Sequence, residues 1–312
     1  MRFLVTGVKG QLGYDVVKEL KKRGFNDILE YGKEQMDITN KKQVDDCIIG
    51  SEPDVVIHCA AYTAVDKAEI DEENAWKVNA NATRLIAEAC AEVDAKLIYV
   101  STDYVFDGKK KLGETYEVDE KVNPQSVYGS TKYEGEEAAK INPKYFIART
   151  SWVFGINGNN FVKTMLKLSE SMNEVSVVSD QYGSPTYTVD LAKLLVDMAL
   201  SDKYGTYHAN NEGYTNWADF AEEIFRVNGK DMKVNHTTTE EYQANQKAKD
   251  PNKVIAPRPT NSCLAKECLD RNGFERLPSW QDALKRYSQE LKDFKEAQER
   301  EAQILNYSHR GE

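Results

Sequence analysis

The residues best suited to chemistry are a tyrosine and a lysine four positions apart, Tyr128 and Lys132. The segment 128–140 is predicted to be helical, and on a helix this spacing places both side chains on one face. An ammonium group beside a phenol favours the phenolate, so we expect Lys132 to lower the pKa of Tyr128 from its ordinary value of about 10. A tyrosine tuned in this way is an acid or base near neutral pH. The same spacing also occurs on many surface helices, so the pair needs support from other features.

A second candidate group follows a predicted strand at 96–101. The segment Ser101-Thr-Asp-Tyr-Val-Phe-Asp-Gly108 comes directly after it. Ligands of open α/β sheets lie outside the carboxyl ends of the strands. Thr102 is therefore predicted to face a crevice and to hydrogen-bond a substrate oxygen, although Ser-Thr-Asp by itself is also ordinary turn chemistry.

Three glycines in seven residues, Gly7-Val-Lys-Gly10-Gln-Leu-Gly13, lie between a predicted first strand at 2–6 and a predicted helix at 11–22. A glycine turn lets the backbone approach a pyrophosphate, and the helix N-terminus offers free N–H groups. Strand, turn and helix together predict a dinucleotide site.

The second predicted strand, 27–31, is expected to end near the adenosine ribose. Glu30 would accept hydrogen bonds from both ribose hydroxyls, which favours NADH. Lys9 and Lys33 would instead attract the extra phosphate of NADPH. The choice between NADPH and NADH stays open at this point.

The elements that position these groups follow from the alternation of short β-branched runs with amphipathic segments, which is typical of βαβ units. We expect an α/β fold: a doubly wound, Rossmann-like parallel sheet over 1–150, with a returning segment near 185–205. A smaller, interleaved substrate-binding lobe is predicted over 151–291, and a polar C-terminal extension over 292–312. The polar segment 243–254 is predicted to be a solvated loop.

Composition narrows the classes of partner. The net charge of −10 over 312 residues argues against nucleic acid and anionic membranes, both of which favour a basic face. Five cysteines without a CxxC pair and four histidines predict neither a metal cluster nor a disulfide framework, and free thiols fit a reducing cytoplasm. The longest apolar runs are strand-sized, and the first residues lack the features of a signal peptide.

The chain resembles the extended short-chain dehydrogenases/reductases, and among them the dTDP-4-dehydrorhamnose reductases, from Met1 to about Leu291. The segments that carry the resemblance are Val5-Thr-Gly7, Gly10-Gln-Leu-Gly13, Cys59-Ala-Ala-Tyr-Thr-Ala-Val-Asp-Lys-Ala-Glu69, Ser101–Gly108, Asn123-Pro-Gln-Ser-Val-Tyr128, Arg149-Thr-Ser-Trp-Val-Phe154, Asn159–Met165, Asp180-Gln-Tyr-Gly-Ser-Pro-Thr186 and Arg258-Pro-Thr-Asn-Ser262.

The resemblance implies hydride transfer from NADPH or NADH to the C4 keto group of dTDP-4-dehydro-L-rhamnose, a step in the synthesis of cell-surface polysaccharide. Tyr128 would donate the proton, Lys132 would hold the nicotinamide ribose, and Thr102 would orient the keto oxygen. The implied substrate contacts are Thr102, Asp103, Trp152 and Arg258. Together with Glu30, the predicted cofactor contacts from the glycine turn and from the resemblance are Gly7, Gly10, Gln11, Leu12, Gly13, Asp37, Ile38, Ala61, Tyr62, Thr63, Tyr128 and Lys132.

Some members of this family share magnesium across a dimer interface through acidic residues. Here the first such position is Asp15, which is shorter than glutamate, and Val189 occupies the second. We therefore expect no bound metal, and a monomer or homodimer that acts on a small nucleotide-sugar.

Three alternatives share the fold. A 4,6-dehydratase would require Thr-Asp-Glu, but Tyr104 follows Asp103 here. An epimerase would need tight cofactor retention and substrate rotation. A regulatory subunit that binds a dinucleotide without catalysis would not need Thr102, Tyr128 and Lys132, all of which are present.

Overall fold

The computed structural model describes residues 1–308, with side chains through Glu301. Strands and helices alternate along the first half, and shorter strands and further helices follow. The strands are β1 (Phe3–Thr6), β2 (Ile28–Tyr31), β3 (Val55–His58), β4 (Lys96–Thr102), β5 (Tyr145–Thr150), β6 (Val153–Phe154), β7 (Glu174–Val178), β8 (Tyr182–Gly183), β9 (Thr186–Tyr187), β10 (Gly205–His208), β11 (Asn211–Glu212), β12 (Thr215–Asn216), β13 (Lys233–Thr237) and β14 (Leu277–Ser279). The helices are α1 (Gln11–Lys22), α2 (Lys41–Ile48), α3 (Val65–Ala68), α4 (Glu72–Trp76), α5 (Ala82–Glu92), α6 (Val127–Ala139), α7 (Phe161–Leu168), α8 (Thr188–Ala199), α9 (Trp217–Val227), α10 (Thr239–Lys249), α11 (Glu267–Arg271) and α12 (Trp280–Ser308).

Six parallel strands form the central sheet in the order β10-β5-β4-β3-β1-β2. Both faces of the sheet are covered, and for this reason β1 and β3 are apolar and buried along nearly their whole length. Phe3 and Val5 pack with α1 and α8 on one face, whereas Leu4 packs with α2 and α5 on the other. The predicted doubly wound parallel sheet is confirmed.

The order in which strands are added to the sheet reverses at β1, because β2 and β3 pair with opposite sides of that strand. At such a switch point the connections leave in opposite directions and open a crevice at the carboxyl ends of the strands. The turns after β1 and β3 must therefore line this crevice.

A second apolar cluster is built mainly from α7, α9 and α12, and it includes Phe154, Phe220 and Tyr287. The chain returns from this second cluster to the central sheet through α8 and β10. Helix α8 packs against α1, and β10 pairs with β5. The lobe that carries the second cluster is thus held against the carboxyl edge of the sheet.

The predicted loop at 243–254 is wrong for its first part, because α10 runs through Lys249. Thr238 and Glu241 form a capping box that satisfies the free N–H groups at the helix start. None of the residues of α10 is buried, so the segment lacks the apolar periodicity by which a helix is recognised.

The predicted C-terminal extension is helical as far as it is described, since α12 continues to Ser308. Residues 309–312 of that extension lie outside the described residues. No helix in the described part of the chain combines the length and apolar character needed to cross a membrane.

Candidate active site

A cavity of about 1130 Å³ lies along the carboxyl edge of the sheet and extends to the second lobe. Its walls come from the turns after β1, β2 and β3, the ends of β4 and β5, and residues of the second lobe. Of the residues predicted for the site, those that line the cavity are Gly7, Gly10, Gln11, Leu12, Gly13, Asp37, Ile38, Ala61, Thr63, Thr102, Asp103, Tyr128, Lys132, Trp152 and Arg258. Two predicted residues, Glu30 and Tyr62, do not line it.

The glycine turn has the geometry of a pyrophosphate cradle. Gly7 has φ +69°, and a Cβ there would lie 2.7 Å from the backbone nitrogen of Ala60 after β3. A Cβ on Gly13 would lie 2.3 Å from the carbonyl oxygen of Gly7. Gly10 caps α1 in an extended conformation, so the first N–H groups of the helix face the cavity without a side-chain cap. These features fit a dinucleotide phosphate.

A loop of the second lobe, residues 155–160, holds this turn from outside, and we call it the latch loop. The side-chain oxygen of Gln11 accepts hydrogen bonds from the latch loop, including one of 3.1 Å from the amide of Asn160. The amide of Asn157 donates to the carbonyl oxygen of Lys9 at 2.8 Å. The latch loop therefore joins the two lobes at the candidate phosphate site.

The far end of the cavity, where adenosine would lie, is lined by Lys33, Asp37 and other residues that follow β2. The pKa of Asp37 is lowered because Thr39 donates hydrogen bonds to its carboxylate. Lys9 and Glu34, both of which line the cavity, form an exposed ion pair of 2.8 Å. Lysines thus face this end, as expected for an extra ribose phosphate.

Glu30, which was predicted to contact the ribose, does not line the cavity. Its carboxylate pairs with the ammonium group of Lys21 on α1, at 2.5 Å. Side chains alternate along a strand, so the next residue, Tyr31, takes the orientation toward the cavity that was predicted for Glu30.

The turn after β3 brings Ala61 and Thr63 to the cavity but turns the side chain of Tyr62 away. The phenol of Tyr62 donates to the carboxylate of Asp71 at 3.0 Å, and Tyr62 does not line the cavity. The side chain of Asn79 accepts from the backbone N–H of Tyr62 at 2.8 Å and donates to its carbonyl oxygen at 3.0 Å. Asn79 therefore fixes the conformation of this turn.

The reaction end of the cavity is built on the first turns of α6. Ser126 caps this helix by accepting a hydrogen bond from the backbone N–H of Gly129, and the cap places Tyr128 in the first turn. Tyr128 and Thr102 both line the cavity here, and the Thr102 hydroxyl acts to lower the pKa of the phenol. The buried ammonium group of Lys132 donates to the carbonyl oxygen of Val100 at 2.6 Å. All three predicted chemical groups are therefore brought together.

Burial, and not the lysine, dominates the acidity of the phenol. Desolvation raises the pKa of Tyr128 to about 12, against the hydrogen bond with Thr102, and the charge of Asp103 acts in the same direction as burial. The predicted lowering by Lys132 is wrong for this structure, because its ammonium group is directed to a backbone carbonyl. Desolvation also lowers the pKa of Lys132 to about 7.

Asp103 offers an unsatisfied acceptor at the cavity wall. Its Oδ1 accepts a hydrogen bond of 3.0 Å from the hydroxyl of Thr102. Its Oδ2 is buried and has no partner among the described residues. Burial raises the pKa of Asp103 to about 6. Ser262 and Thr102 act against this rise, and Asp103 lines the cavity, where its carboxylate is a candidate acceptor for a ligand hydroxyl.

Trp152 forms an aromatic wall with a residue that the sequence analysis did not assign to the site. Its backbone has φ +48°, an unusual conformation for a bulky residue. Its ring stacks on Trp217, with centroids 3.7 Å apart, and both indoles line the cavity. A strained residue at a cavity wall is typical of functional sites.

Arg258 lines the cavity, and its guanidinium group pairs with Asp66 at 2.7 Å. The predicted contact with a substrate diphosphate requires the remaining N–H groups of the fork, since five donors are available. Asp66 thus holds the arginine in place at the cavity mouth.

Several lining residues were not assigned to the site from the sequence, and Asn159, Gln181 and Trp217 are among them. The first two belong to segments that carry the family resemblance, so those segments were a usable signal. Trp217 begins α9 and resembles an ordinary packing residue in sequence, and only the fold brings it to Trp152.

Comparison with known proteins gives a consistent result. A family model described as the RmlD substrate binding domain matches residues 1–293. A dTDP-4-dehydrorhamnose reductase of Aggregatibacter actinomycetemcomitans is 41% identical over 298 residues, covering 91% of this chain and 97% of that protein. The spore coat polysaccharide biosynthesis protein SpsK of Bacillus subtilis is 38% identical over 290 residues, covering 93% and 97%.

A solved structure shares the fold closely. The dTDP-4-dehydrorhamnose reductase of Bacillus anthracis, in complex with NADP, has a TM-score of 0.87 and 41% sequence identity to this chain. The match covers 93% of this chain and 99% of that protein.

Proposed function

The chain belongs to the family of RmlD substrate binding domains, and from this premise we propose that it reduces the C4 keto group of dTDP-4-dehydro-L-rhamnose to give dTDP-L-rhamnose. The observation that carries the proposal is a single cavity with a glycine turn at one end and the hydroxyls of Thr102 and Tyr128 at the other. A dinucleotide bound along it would bring its nicotinamide next to those hydroxyls.

Tyr128 is the proton donor in this proposal. A phenol whose pKa is raised to about 12 keeps its proton throughout the neutral range. The alkoxide that forms on the sugar is a much stronger base than a phenolate, so the proton moves to it as the carbonyl is reduced. The phenolate that remains is reprotonated from solvent before the next turnover.

Two neighbouring groups support this transfer. Thr102 lines the cavity together with Tyr128, and its hydroxyl, which donates to Asp103 in this structure, would turn to the keto oxygen and orient it. Lys132 presents a buried ammonium group that donates to the carbonyl oxygen of Val100 while the phenol is neutral. In this proposal it would bind the nicotinamide ribose and turn toward the negative charge once that charge forms on the phenol. The bound nicotinamide cofactor supplies the hydride.

The sugar is held opposite the nicotinamide. The carboxylate of Asp103 accepts a hydrogen bond from a sugar hydroxyl, and Trp152 covers an apolar face of the ring. Arg258, fixed by Asp66, binds the diphosphate.

NADPH is the preferred cofactor. Glu30 is directed away from the cavity, and the acidic residue that does line its adenosine end, Glu34, is paired with Lys9. Lys33 lines the same end and attracts the additional phosphate.

The proposal includes the cellular location, the class of substrate and the oligomeric state. The net charge of −10 favours a small-molecule substrate over nucleic acid. The five cysteines are free, which fits a reducing cytoplasm. We expect a monomer or a homodimer.

The test is an absorbance assay of reduced nicotinamide with dTDP-4-dehydro-L-rhamnose and NADPH or NADH. We expect substrate-dependent consumption of NADPH and a product identical to dTDP-L-rhamnose by mass spectrometry and NMR. An epimerase would change the sugar without net consumption of NADPH, and a regulatory subunit would consume none. Either result, or reduction of only a different 4-keto sugar, would contradict the proposal.

A further inference from the structure

A buried ion pair lies behind the reaction end of the cavity. The carboxylate of Glu136 on α6 is 0% exposed and Arg149 on β5 is 5% exposed. Two hydrogen bonds join them, from Nε to Oε1 at 2.8 Å and from Nη2 to Oε2 at 2.7 Å. This is the two-pronged geometry in which arginine binds a carboxylate most strongly.

Stability alone is a poor reason for such a pair. Removing two charges from water is costly, and an apolar pair of similar volume is often at least as stable. Neither Glu136 nor Arg149 lines the cavity, so neither contacts a ligand there. The role of the pair therefore follows from the residues that Glu136 and Arg149 contact.

The pair joins α6 and β4, which carry the candidate reactive groups, to β5. Glu136 lies one helical turn after Lys132 and two turns after Tyr128 on α6. Its Oε1 also accepts a hydrogen bond of 2.6 Å from the hydroxyl of Ser101, the residue before Thr102 at the end of β4. Arg149 lies at the end of β5, three residues before Trp152.

The pair also places a carboxylate one helical turn from the lysine. Residues one helical turn apart face each other, so the carboxylate of Glu136 acts on the ammonium group of Lys132. Among the described residues around that ammonium group, Tyr99 lies with its ring 4.2 Å away, and Cys59 and His58 follow along β3. These three are neutral near pH 7, because burial raises the pKa of Tyr99 and Cys59 and lowers that of His58.

Burial opposes the charge on Lys132 and lowers its pKa to about 7, whereas Glu136 acts in the other direction. A group so close to its titration point responds strongly to the loss of one neighbouring charge. The positive charge of Arg149, on the other side of the Glu136 carboxylate, partly offsets the effect of Glu136 on the pKa of Lys132.

We propose that the buried Glu136–Arg149 pair is a positioning device that keeps Lys132 in its ammonium form and fixes α6 against the ends of β4 and β5. The inference rests on the proposed function, since it concerns the group that stabilises charge on the phenol. Glu136 and Arg149 are positioning residues, because they act through Lys132.

The test is the pH dependence of kcat for NADPH-dependent reduction by the full-length protein. In the parent, activity falls on the basic side as Lys132 loses its proton, well below the region in which Tyr128 would ionise. The isosteric variant Glu136→Gln keeps an acceptor for Ser101 and removes the charge. We expect its basic limb to move to lower pH by about 1 pH unit or more.

Glu136→Gln leaves an arginine buried without a partner and is expected to lose stability. The double variant Glu136→Gln/Arg149→Met avoids this, and we expect a smaller displacement in the same direction. The matched control is Glu137→Gln, since Glu137 is the next residue on α6 and pairs at 2.6 Å with exposed Lys140. Its pH profile should coincide with that of the parent.

A folded double variant with the parent's pH profile would overturn the inference. So would a kcat that is reduced equally at every pH, because that is the result of a purely structural role. Failure of the proposed function is a separate result: the parent itself would show no substrate-dependent consumption of NADPH.

Discussion

The two ends of the cavity are built in different ways. At the reaction end, Thr102, Asp103 and Lys132 are at most 4% exposed, and a buried ion pair holds the elements that carry them. At the adenosine end, the side chains of Lys9 and Glu34 are 67% and 64% exposed, and their ion pair is surrounded by solvent. Charges in solvent are screened and mobile, whereas buried groups keep one geometry.

This contrast predicts that the two ends of the cavity affect different kinetic constants. Groups at the reaction end change their interactions as the keto group is reduced, so their loss should lower kcat. Groups at the adenosine end bind a part of the cofactor that does not change during the reaction. Their loss should raise the KM for cofactor and leave kcat nearly unchanged.

The largest effect is expected at the reaction end, in Tyr128→Phe. The variant keeps the ring, which packs edge to face on Tyr104 with centroids 5.4 Å apart, but removes the donated proton. We expect kcat to fall by a factor of about 10² or more, which corresponds to about 2.7 kcal/mol. Steady-state kinetics of NADPH oxidation measure this change.

Binding of NADPH, measured by fluorescence titration, should stay within a factor of about three in this variant, because the phenol hydroxyl is a small part of the cofactor contact. Tyr133→Phe is the control, since Tyr133 lies on the same helix and does not line the cavity. If Tyr128→Phe turned over at the parent's rate, the phenol would be excluded as the proton donor. The expectation that losses at the reaction end lower kcat would then fail.

The same contrast explains which parts of the site the sequence predicted. The glycine turn, Thr102, Tyr128 and Lys132 lie on or beside regular elements, and strand ends and helical spacing determine where such residues point. Tyr31 lines the cavity and Glu30 does not, because a shift of one residue along a strand reverses the direction of the side chain. Tyr62 lies in an irregular turn whose conformation depends on Asn79, 17 residues away.

The acidity of Tyr128 shows a different limit. The i, i+4 spacing correctly places Lys132 beside it on α6, but spacing gives neither the depth of burial nor the direction of the ammonium group. In the structure the carbonyl oxygen of Val100 takes a hydrogen bond from the ammonium group, and desolvation decides the direction of the pKa. Long-range features of this kind, including the stack of Trp152 on Trp217, become visible only when the chain is folded.

An intermediate effect is expected at the adenosine end, in Lys33→Ala. Loss of one exposed cation near the extra ribose phosphate should raise the KM for NADPH by about 3- to 10-fold, since screened surface charges contribute on the order of 1 kcal/mol. The KM for NADH and both kcat values should not change. Initial rates with the two cofactors measure the difference.

Lys22→Ala is the matched control, because Lys22 carries the same charge on α1 and does not line the cavity. Equal increases in KM for NADPH and NADH would show that Lys33 does not bind the additional phosphate. A fall in kcat would show that this end is coupled to the reaction after all.

The smallest effect is expected where the lobes meet, in Asn157→Ala. The amide of Asn157 donates to the carbonyl oxygens of Lys9 at 2.8 Å and of Gly10 at 3.3 Å, on the outer side of the glycine turn. Loss of such partly exposed hydrogen bonds costs on the order of 0.5–1 kcal/mol, so the KM for NADPH and for NADH should both rise by about two- to fivefold. Asn272→Ala removes a similar bond, to the carbonyl oxygen of Cys268, from an exposed site outside the cavity, and should change neither value. An effect on NADPH alone would place the role of Asn157 at the adenosine end, whereas a lower kcat with constant KM would join the latch loop to the reaction end.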